Sequence, residues 1–355
     1  MRLKIVRRAV VHLFPGYFAM VMATGVISIA SFLLNLHLVA RALLSINLAT
    51  YALLWLLTIM RLVGCTREMC GDLMDHARGP GFFTLVAGTC VLGTDLLLVT
   101  DNYAAAISLW WLGLFLWALI MYAFFVAVTV RERKPSLQTG INGAWLIATV
   151  ATQSVSILGV LISVRMGASE RTTLFLALCM YLLGCMLYLS IITLIFYRFT
   201  FVKLTSADFT PPYWINMGAV AITTLSGSTL ILHAGQWAVL GQLLPFLKGF
   251  TLFFWVTATW WIPLLFILLV WRHLYRRFPV IYDPQYWGMV FPLGMYTTGT
   301  LRLAQAINLP VLDNIPRYFI YVALVAWAAA FAGLLHHLQG QARALFFLKS
   351  APEGT

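Results

Sequence analysis

Residues 141–163 read INGAWLIATVATQSVSILGVLIS, and residues 172–197 read TTLFLALCMYLLGCMLYLSIITLIFY. Each stretch is long enough to cross a hydrocarbon core of about 30 Å as an α-helix. In the first, hydroxyl and glycine residues recur at steps of three or four, which places them on one helix face. The second is dominated by leucine. This pair predicts a helical hairpin with a small, hydroxylated first helix and an apolar second helix.

Similar apolar stretches fill the chain, in which 62% of the 355 residues are hydrophobic and only 10% are charged. A soluble domain of this length would carry far more charge. The sequence therefore predicts an all-α polytopic membrane protein. Its ten predicted transmembrane helices lie at residues 15–34, 40–62, 82–100, 103–128, 141–163, 172–197, 214–233, 245–270, 286–307 and 318–338.

The odd-numbered spans differ from the even-numbered ones throughout the chain. They contain about 30 Gly, Ser and Thr residues, against about 15 in the even-numbered spans. Close helix packing favours small residues in membranes, but packing alone gives no reason for an alternation with chain order. The alternation predicts five helical hairpins around a central pore with quasi-five-fold symmetry. The predicted pore-lining residues are Thr24, Gly25, Ser28, Gly88, Thr149, Thr152, Ser156, Asn216, Thr223, Ser226, Pro292 and Thr298.

The basic residues give the orientation. The formal net charge is +12, and with the N-terminus inside, roughly 17 of the 23 Lys and Arg residues fall in cytoplasmic segments, among them Arg61, Arg78, Arg198 and Arg272. This asymmetry follows the positive-inside rule and indicates anionic lipid at the cytoplasmic face rather than a nucleic-acid partner. Residues 1–14 and 339–355 are then cytoplasmic segments, on either side of a membrane domain at residues 15–338. The predicted location is the plasma or inner membrane, with both termini cytoplasmic.

The shared direction of the odd-numbered helices favours anions. All five would begin at the cytoplasmic mouth, where each contributes the positive end of its dipole, equivalent to about half a charge, and free N–H donors. Arg302 in the ninth span and Lys248 in the eighth are predicted to attract anions or set selectivity. Asp95 in the third span is a possible proton site, with an Asp95–Arg302 ion pair as the structural alternative.

Other chemistries receive little support. The five cysteines include no second pair that would complete a zinc site near Cys65 and Cys70. The seven histidines lie mostly at span ends or in loops, whereas a haem-binding subunit needs them inside facing helices. No phosphate-binding glycine loop or nucleophile motif is present. The sequence thus predicts neither an enzyme nor a metal or cofactor site, and a redox membrane subunit is only a remote alternative.

Three segments carry a family resemblance. Residues 14–25 read FPGYFAMVMATG, residues 211–219 read PPYWINMGA, and Trp287 is followed by Phe291-Pro292-Leu293-Gly294. In this order, they resemble the tellurite-resistance/dicarboxylate transporter family, which includes the yeast malic-acid permease, the fungal sulfite efflux pump and the plant slow anion channels. The VMATG segment is closer to the permease and sulfite-pump branch than to the channel branch.

The resemblance implies a homotrimer with one pore in each subunit, and a phenylalanine that plugs the pore on the ninth helix. Phe291 matches that phenylalanine. The predicted function is transport of a small anion, either an inorganic anion, a sulfite- or tellurite-type oxyanion or a dicarboxylate. The alternative is proton-coupled transport of a C4-dicarboxylate such as malate.

Overall fold

The computed structural model describes residues 10–11 and 13–350 and is built from α-helices. The long helices are α1 (Ala19–Leu33), α2 (His37–Gly64), α3 (Phe83–Thr100), α4 (Tyr103–Val130), α5 (Ile147–Ser163), α6 (Glu170–Phe201), α7 (Ile215–Leu232), α8 (Leu244–Val270), α9 (Trp287–Ile307) and α10 (Asn314–Ser350). Short helices occupy Thr66–Leu73, Leu137–Gly140 and Ala238–Gln242 in the connections. The all-α prediction is confirmed.

Each odd-numbered helix is preceded by a 3-10 turn, which we call its lead-in turn. Four of the five turns have proline at their first or second position. Proline suits this place because the first helical N–H groups have no partner within the helix and proline has no N–H to leave unpaired. The lead-in turns are Pro15–Phe18, Gly79–Phe82, Gly143–Leu146, Pro211–Trp214 and Pro284–Tyr286.

The odd-numbered helices form a closed ring. Along this ring α1 contacts α3, α3 contacts α5, α5 contacts α7, α7 contacts α9, and α9 returns to α1. Each even-numbered helix packs against the odd-numbered helix before it. In the most apolar stretches of α1, α3, α5 and α7, 78% to 94% of the residues are buried, against 17% to 44% in the even-numbered helices. The even-numbered helices therefore form the outer layer.

Nine of the described helices are long and apolar enough to cross a membrane. Helix α9 is not among them, although it lies where the ninth span was predicted. Its polar residues Thr297, Thr298, Thr300, Arg302 and Gln305 explain the difference. A helix enclosed by other helices needs less apolar surface than one that faces lipid. The ninth span, and with it the count of ten, stays a prediction.

Close approach within the ring depends on small residues. A Cβ atom on Gly299 of α9 would lie 2.8 Å from the Ala221 carbonyl oxygen of α7. That oxygen belongs to the backbone and cannot rotate away, so only glycine allows the two helices to meet at this point.

Candidate functional site

Two cavities lie within the helix ring, and all five odd-numbered helices line each of them. The first, which we call the N-side cavity, lies at the ends where these helices begin and has a volume of about 340 Å³. The lead-in turns and first helical turns form its wall. One lining residue from each repeat is Gly16, Thr84, Ala144, Pro212 and Phe291.

The wall of the N-side cavity is mostly apolar. Along α9 and its lead-in turn, the lining residues Gln285, Gly288 and Phe291 follow one another at steps of three. Phe291 is the deepest of them and is only 1% exposed. Arg78 is the charged lining residue among those described, and its side chain is 42% exposed. The cavity thus combines a positive charge at its side with an aromatic ring at its inner end.

The second cavity, the C-side cavity, lies where the odd-numbered helices end and has a volume of about 330 Å³. Its polar wall includes Thr298, Arg302, Gln305 and His233. Arg302 donates a hydrogen bond to Gln305 Oε1 at 2.9 Å. Within residues 10–11 and 13–350, no salt bridge involves Arg302, so the Asp95–Arg302 pair considered as an alternative is not formed.

A closed segment separates the two cavities. On α9, Phe291 lines the N-side cavity and Thr298 lines the C-side cavity, seven positions later. Seven residues of α-helix span about 10 Å. The same interval separates Met22 from Ile29 on α1. The helices therefore pack against one another for about two turns between the cavities.

Several predicted pore-lining hydroxyl groups are engaged with neighbouring helices. Thr24 accepts a hydrogen bond from Trp327 Nε1 at 3.0 Å, and Thr152 accepts one from Trp117 Nε1 at 2.9 Å. Ser156 donates to the Ala177 carbonyl at 2.7 Å. These contacts join an odd-numbered helix to an even-numbered one.

Four further hydroxyl groups of this set divide into three kinds. Ser226 donates to Ser156 across the α5–α7 contact at 2.9 Å, and Thr223 donates to the Ala219 carbonyl of its own helix. Thr298 also bonds its own helix, at the Gly294 carbonyl, and in addition lines the C-side cavity. Thr149 is fully buried, and its hydroxyl has no hydrogen-bond partner among the residues that the structure describes.

Asn216 is similar, since neither polar atom of its buried side-chain amide has a hydrogen-bond partner in the described part of the chain. An unpaired buried polar group costs about 1–3 kcal/mol. The amide of Asn216 and the hydroxyl of Thr149 are therefore available for a further polar contact on the adjacent helices α7 and α5.

The predicted glycine and proline positions lie where helices meet. A Cβ on Gly25 would lie 2.8 Å from Val91 Cγ1 of α3, and one on Gly88 would lie 3.3 Å from the Phe18 carbonyl oxygen. Pro292 packs against Gly218 of α7, where a Cβ would lie 2.7 Å from the proline ring. These residues let the helices of the ring approach each other.

The two remaining predicted charges lie outside both cavities. Lys248 is exposed on α8. Asp95 is fully buried, and its Oδ1 accepts a hydrogen bond from Ser28 at 2.8 Å. Its neighbour Thr94, rather than Asp95 itself, lines the C-side cavity.

Two features of the site were missed from the sequence. Arg78 was counted only as a topological charge, although it immediately precedes a lead-in turn and reaches the N-side cavity. The lead-in turns themselves carry a repeated signal, because each combines proline or glycine with an aromatic residue before an odd-numbered span. Alignment of the five repeats on this signal would have identified the cavity wall.

Comparison with known proteins places these features in context. The family model described as voltage-dependent anion channel matches residues 12–335. An uncharacterised membrane protein of Mycobacterium tuberculosis is 39% identical over 153 residues, which cover 43% of this chain and 77% of the relative. An uncharacterised transporter of Methanocaldococcus jannaschii is 23% identical over 88% of this chain and 91% of its own. A sulfite efflux pump of Arthroderma otae is 22% identical over 91% of this chain and 90% of its own.

Proposed function

The chain belongs to the voltage-dependent anion channel family, and from this premise we propose that it passes small anions along the axis of its helix ring. We further propose that Phe291 closes the path. One observation carries the proposal: two cavities, each lined by all five odd-numbered helices, lie on either side of a closed segment of about two turns that begins at Phe291. An aromatic ring in so narrow a passage excludes water and therefore ions.

The charges around the cavities support a preference for anions. Arg78 lines one cavity and Arg302 the other, whereas in the described part of the chain no carboxylate lines either. The five odd-numbered helices also direct the positive ends of their dipoles towards the N-side cavity. Thr149 and Asn216 supply unpaired polar groups that an anion could use after it has lost part of its hydration shell.

Flux measurements in proteoliposomes test this function. Phe291→Ala is expected to raise the flux of chloride, nitrate, sulfite and malate above that of the unmodified protein, because it removes the ring at the inner end of the N-side cavity. Phe254→Ala is the matched control, since Phe254 is also fully buried but lines neither cavity. Equal fluxes in the Phe291→Ala and unmodified proteins would rule out the gate.

Proton-coupled transport of a dicarboxylate is the second candidate, and the fully buried carboxyl group of Asp95 favours it. A carboxyl group inside a membrane is costly and often belongs to a proton path. The two functions differ in their response to a pH gradient. Malate uptake that requires an inward proton gradient would favour the coupled carrier, whereas anion flux without any gradient favours the conduit.

The family resemblance supports a proposal for the assembly, and the distribution of basic residues supports one for the orientation. We propose a homotrimer in the plasma or inner membrane, with both termini and the N-side cavity on the cytoplasmic side and anionic lipid against the basic segments. Residues 15–338 would form the membrane domain. Native mass spectrometry measures the subunit number and the bound lipid. The orientation is measured with single cysteines placed near residues 16 and 235, which are labelled from each side of the membrane in turn.

A further inference from the structure

Three buried arginines repeat one contact at the N-side end of the ring. Each lies near the end of an even-numbered helix, and its Nη1 donates to the carbonyl oxygen two residues before the lead-in turn of the preceding odd-numbered helix. The three pairs are Arg61 with Leu13 at 2.9 Å, Arg198 with Ile141 at 2.6 Å, and Arg272 with Phe209. The same donor atom thus meets the same relative position in three of the five hairpins.

Each arginine has a second anchor that fixes its guanidinium group. Arg61 also pairs with Asp72 and donates to the Val11 carbonyl at 3.2 Å. The planar guanidinium group can hold several acceptors at once, which an ammonium group on a flexible chain does less well.

The other two arginines are anchored by aromatic rings. Arg198 donates to the Tyr213 hydroxyl group and lies 3.9 Å from Asp208. The guanidinium carbon of Arg272 lies 4.3 Å from the centre of the Phe278 ring, a cation–π contact. Both arginines are less than 9% exposed, so these contacts are shielded from water.

The second and fifth hairpins carry looser counterparts. In the second, the exposed Arg131 at the end of α4 donates to the Met74 carbonyl at 3.1 Å. In the fifth, the His337 ring of α10 lies 5.6 Å from the ring of Tyr282, two residues before the lead-in turn of α9. The repeated hydrogen bond is therefore confined, among the described residues, to the three hairpins with a buried arginine.

We propose that Arg61, Arg198 and Arg272 are positioning residues that fix the lead-in turns and thereby set the width of the N-side mouth. The lead-in turns concerned contribute Gly16, Ala144 and Pro212 to the cavity wall, so displacement of a turn changes the opening. The effect on anion passage rests on the proposed function, whereas the effect on the turns does not.

Arg198 offers the cleanest test of the turns. Arg198→Met removes every donor, and Arg198→Lys keeps the charge with a single donor group. Hydrogen exchange followed by mass spectrometry is expected to show about tenfold faster exchange in residues 141–146 of Arg198→Met, equivalent to a loss of roughly 1.4 kcal/mol. Exchange at Pro15–Phe18 should stay unchanged. Arg133→Met is the control, because Arg133 is an exposed cation outside both cavities that makes no hydrogen bond among the described residues.

Anion selectivity is the second measurement, in the Phe291→Ala background where the gate is removed. A wider mouth is expected to raise the permeability of malate relative to chloride by about twofold or more. This ratio does not depend on how many molecules fold correctly, so a general loss of stability leaves it unchanged. If Arg198→Met does not fold, Arg198→Lys is measured in its place, with smaller changes of the same sign expected.

Unchanged exchange in residues 141–146, or equal acceleration in all five lead-in turns, overturns the positioning role. An unchanged malate-to-chloride ratio despite locally faster exchange overturns the link to the width of the mouth. Absence of anion flux in the Phe291→Ala parent contradicts the proposed function instead, and the exchange result then still decides the role of Arg198.

Discussion

Arg78 carries a charge into the N-side cavity that is only partly cancelled. Its Nε donates to Asp72 Oδ1 at 2.7 Å, while Asp72 Oδ2 accepts from Arg61. One carboxylate therefore faces two guanidinium groups, and the cluster keeps one positive charge. Five helix N-termini converge on the same cavity, so the two effects attract anions together.

Arg78→Gln is expected to lower anion flux in the Phe291→Ala background by about twofold to tenfold at low ionic strength, because long-range attraction is lost. The difference should shrink in salt of about 1 M, where the screening length falls to roughly 3 Å. Flux at several salt concentrations measures this, with the exposed Arg133→Gln as control. A loss of flux that does not depend on salt would speak against an electrostatic role.

Asp95 lies beside a hydroxyl group that has one proton for two acceptors. The Ser28 oxygen is 2.8 Å from the Ala40 carbonyl oxygen and 2.8 Å from Asp95 Oδ1. The single hydroxyl proton can serve only one of them. Both contacts are hydrogen bonds when the carboxyl group of Asp95 carries a proton of its own. In the described part of the chain, Asp95 takes part in no salt bridge that would favour the charged form.

Asp95→Asn keeps the shape of this side chain and makes it neutral at every pH. We expect it to change the free energy of unfolding by less than about 0.5 kcal/mol and to leave anion flux unchanged. Asp95→Ala leaves an empty space beside Ser28 and removes its contact with the carboxyl group. It is expected to lower the free energy of unfolding by about 1–3 kcal/mol. Thermal unfolding in detergent and flux with and without a pH gradient measure both variants. Loss of gradient-driven malate uptake in Asp95→Asn would instead identify a proton-coupling carboxyl group.

At the scale of the helices, α7 and α9 meet beside the proposed gate. Pro292 has no N–H, so α9 lacks the hydrogen bond that residue 292 would otherwise donate to the Gly288 carbonyl. Its ring lies against Gly218, where a Cβ would be 2.7 Å from Pro292 Cγ. A proline ring cannot rotate away, so this approach of the two helices next to Phe291 requires glycine at position 218.

Gly218→Ala is expected to push α7 away from α9, to lower the free energy of unfolding by about 1–3 kcal/mol, and to raise resting anion flux by displacing Phe291. Gly249→Ala on the exposed part of α8 is the control, since a Cβ there would have no described atom within 4 Å. That change should be neutral or stabilising by up to about 1 kcal/mol. Lower stability of Gly218→Ala with unchanged flux would mean that the α7–α9 contact does not hold the gate.

At the scale of the whole molecule, the ring of hairpins was predictable because hydropathy separates helices that face lipid from helices that other helices enclose. The direction of each hydroxyl group was not predictable. Thr152 and Ser156 share one face by their spacing, but spacing does not fix how α5 is rotated about its own axis. Their partners Trp117 and Ala177 come from α4 and α6. In the described conformation most of these hydroxyl groups bond between helices, while residues such as Ile157 and Leu225 line the C-side cavity.

Arg78 and the lead-in turns were missed because sequence position alone does not show which connecting residues meet in the folded ring. A basic residue next to a span predicts topology, and only the folded ring shows that Arg78 enters a cavity. Arg61, Arg198 and Arg272 were likewise read as topological charges, whereas each holds a carbonyl group of a neighbouring segment. Arginine thus predicts the orientation of this chain in the membrane and also bonds segments of its hairpins together.

The two cavities lie at opposite ends of the helix dipoles, and this asymmetry makes a last prediction. The N-side cavity faces the positive ends, whereas the C-side cavity faces the negative ends, which repel anions. Arg302 lines the C-side cavity and offsets that repulsion.

The prediction is tested in the Phe291→Ala background with equal chloride on both sides of the membrane. Arg302→Gln is expected to reduce the current that enters through the C-side mouth. It should thereby change the ratio of the currents at opposite voltages by about twofold or more. Lys248→Gln removes an equal charge from the exposed surface of α8, outside both cavities, and should leave this ratio unchanged. Equal effects of the two substitutions would show that charge near this face acts without entering the path, and an effect of Lys248→Gln alone would place the path elsewhere.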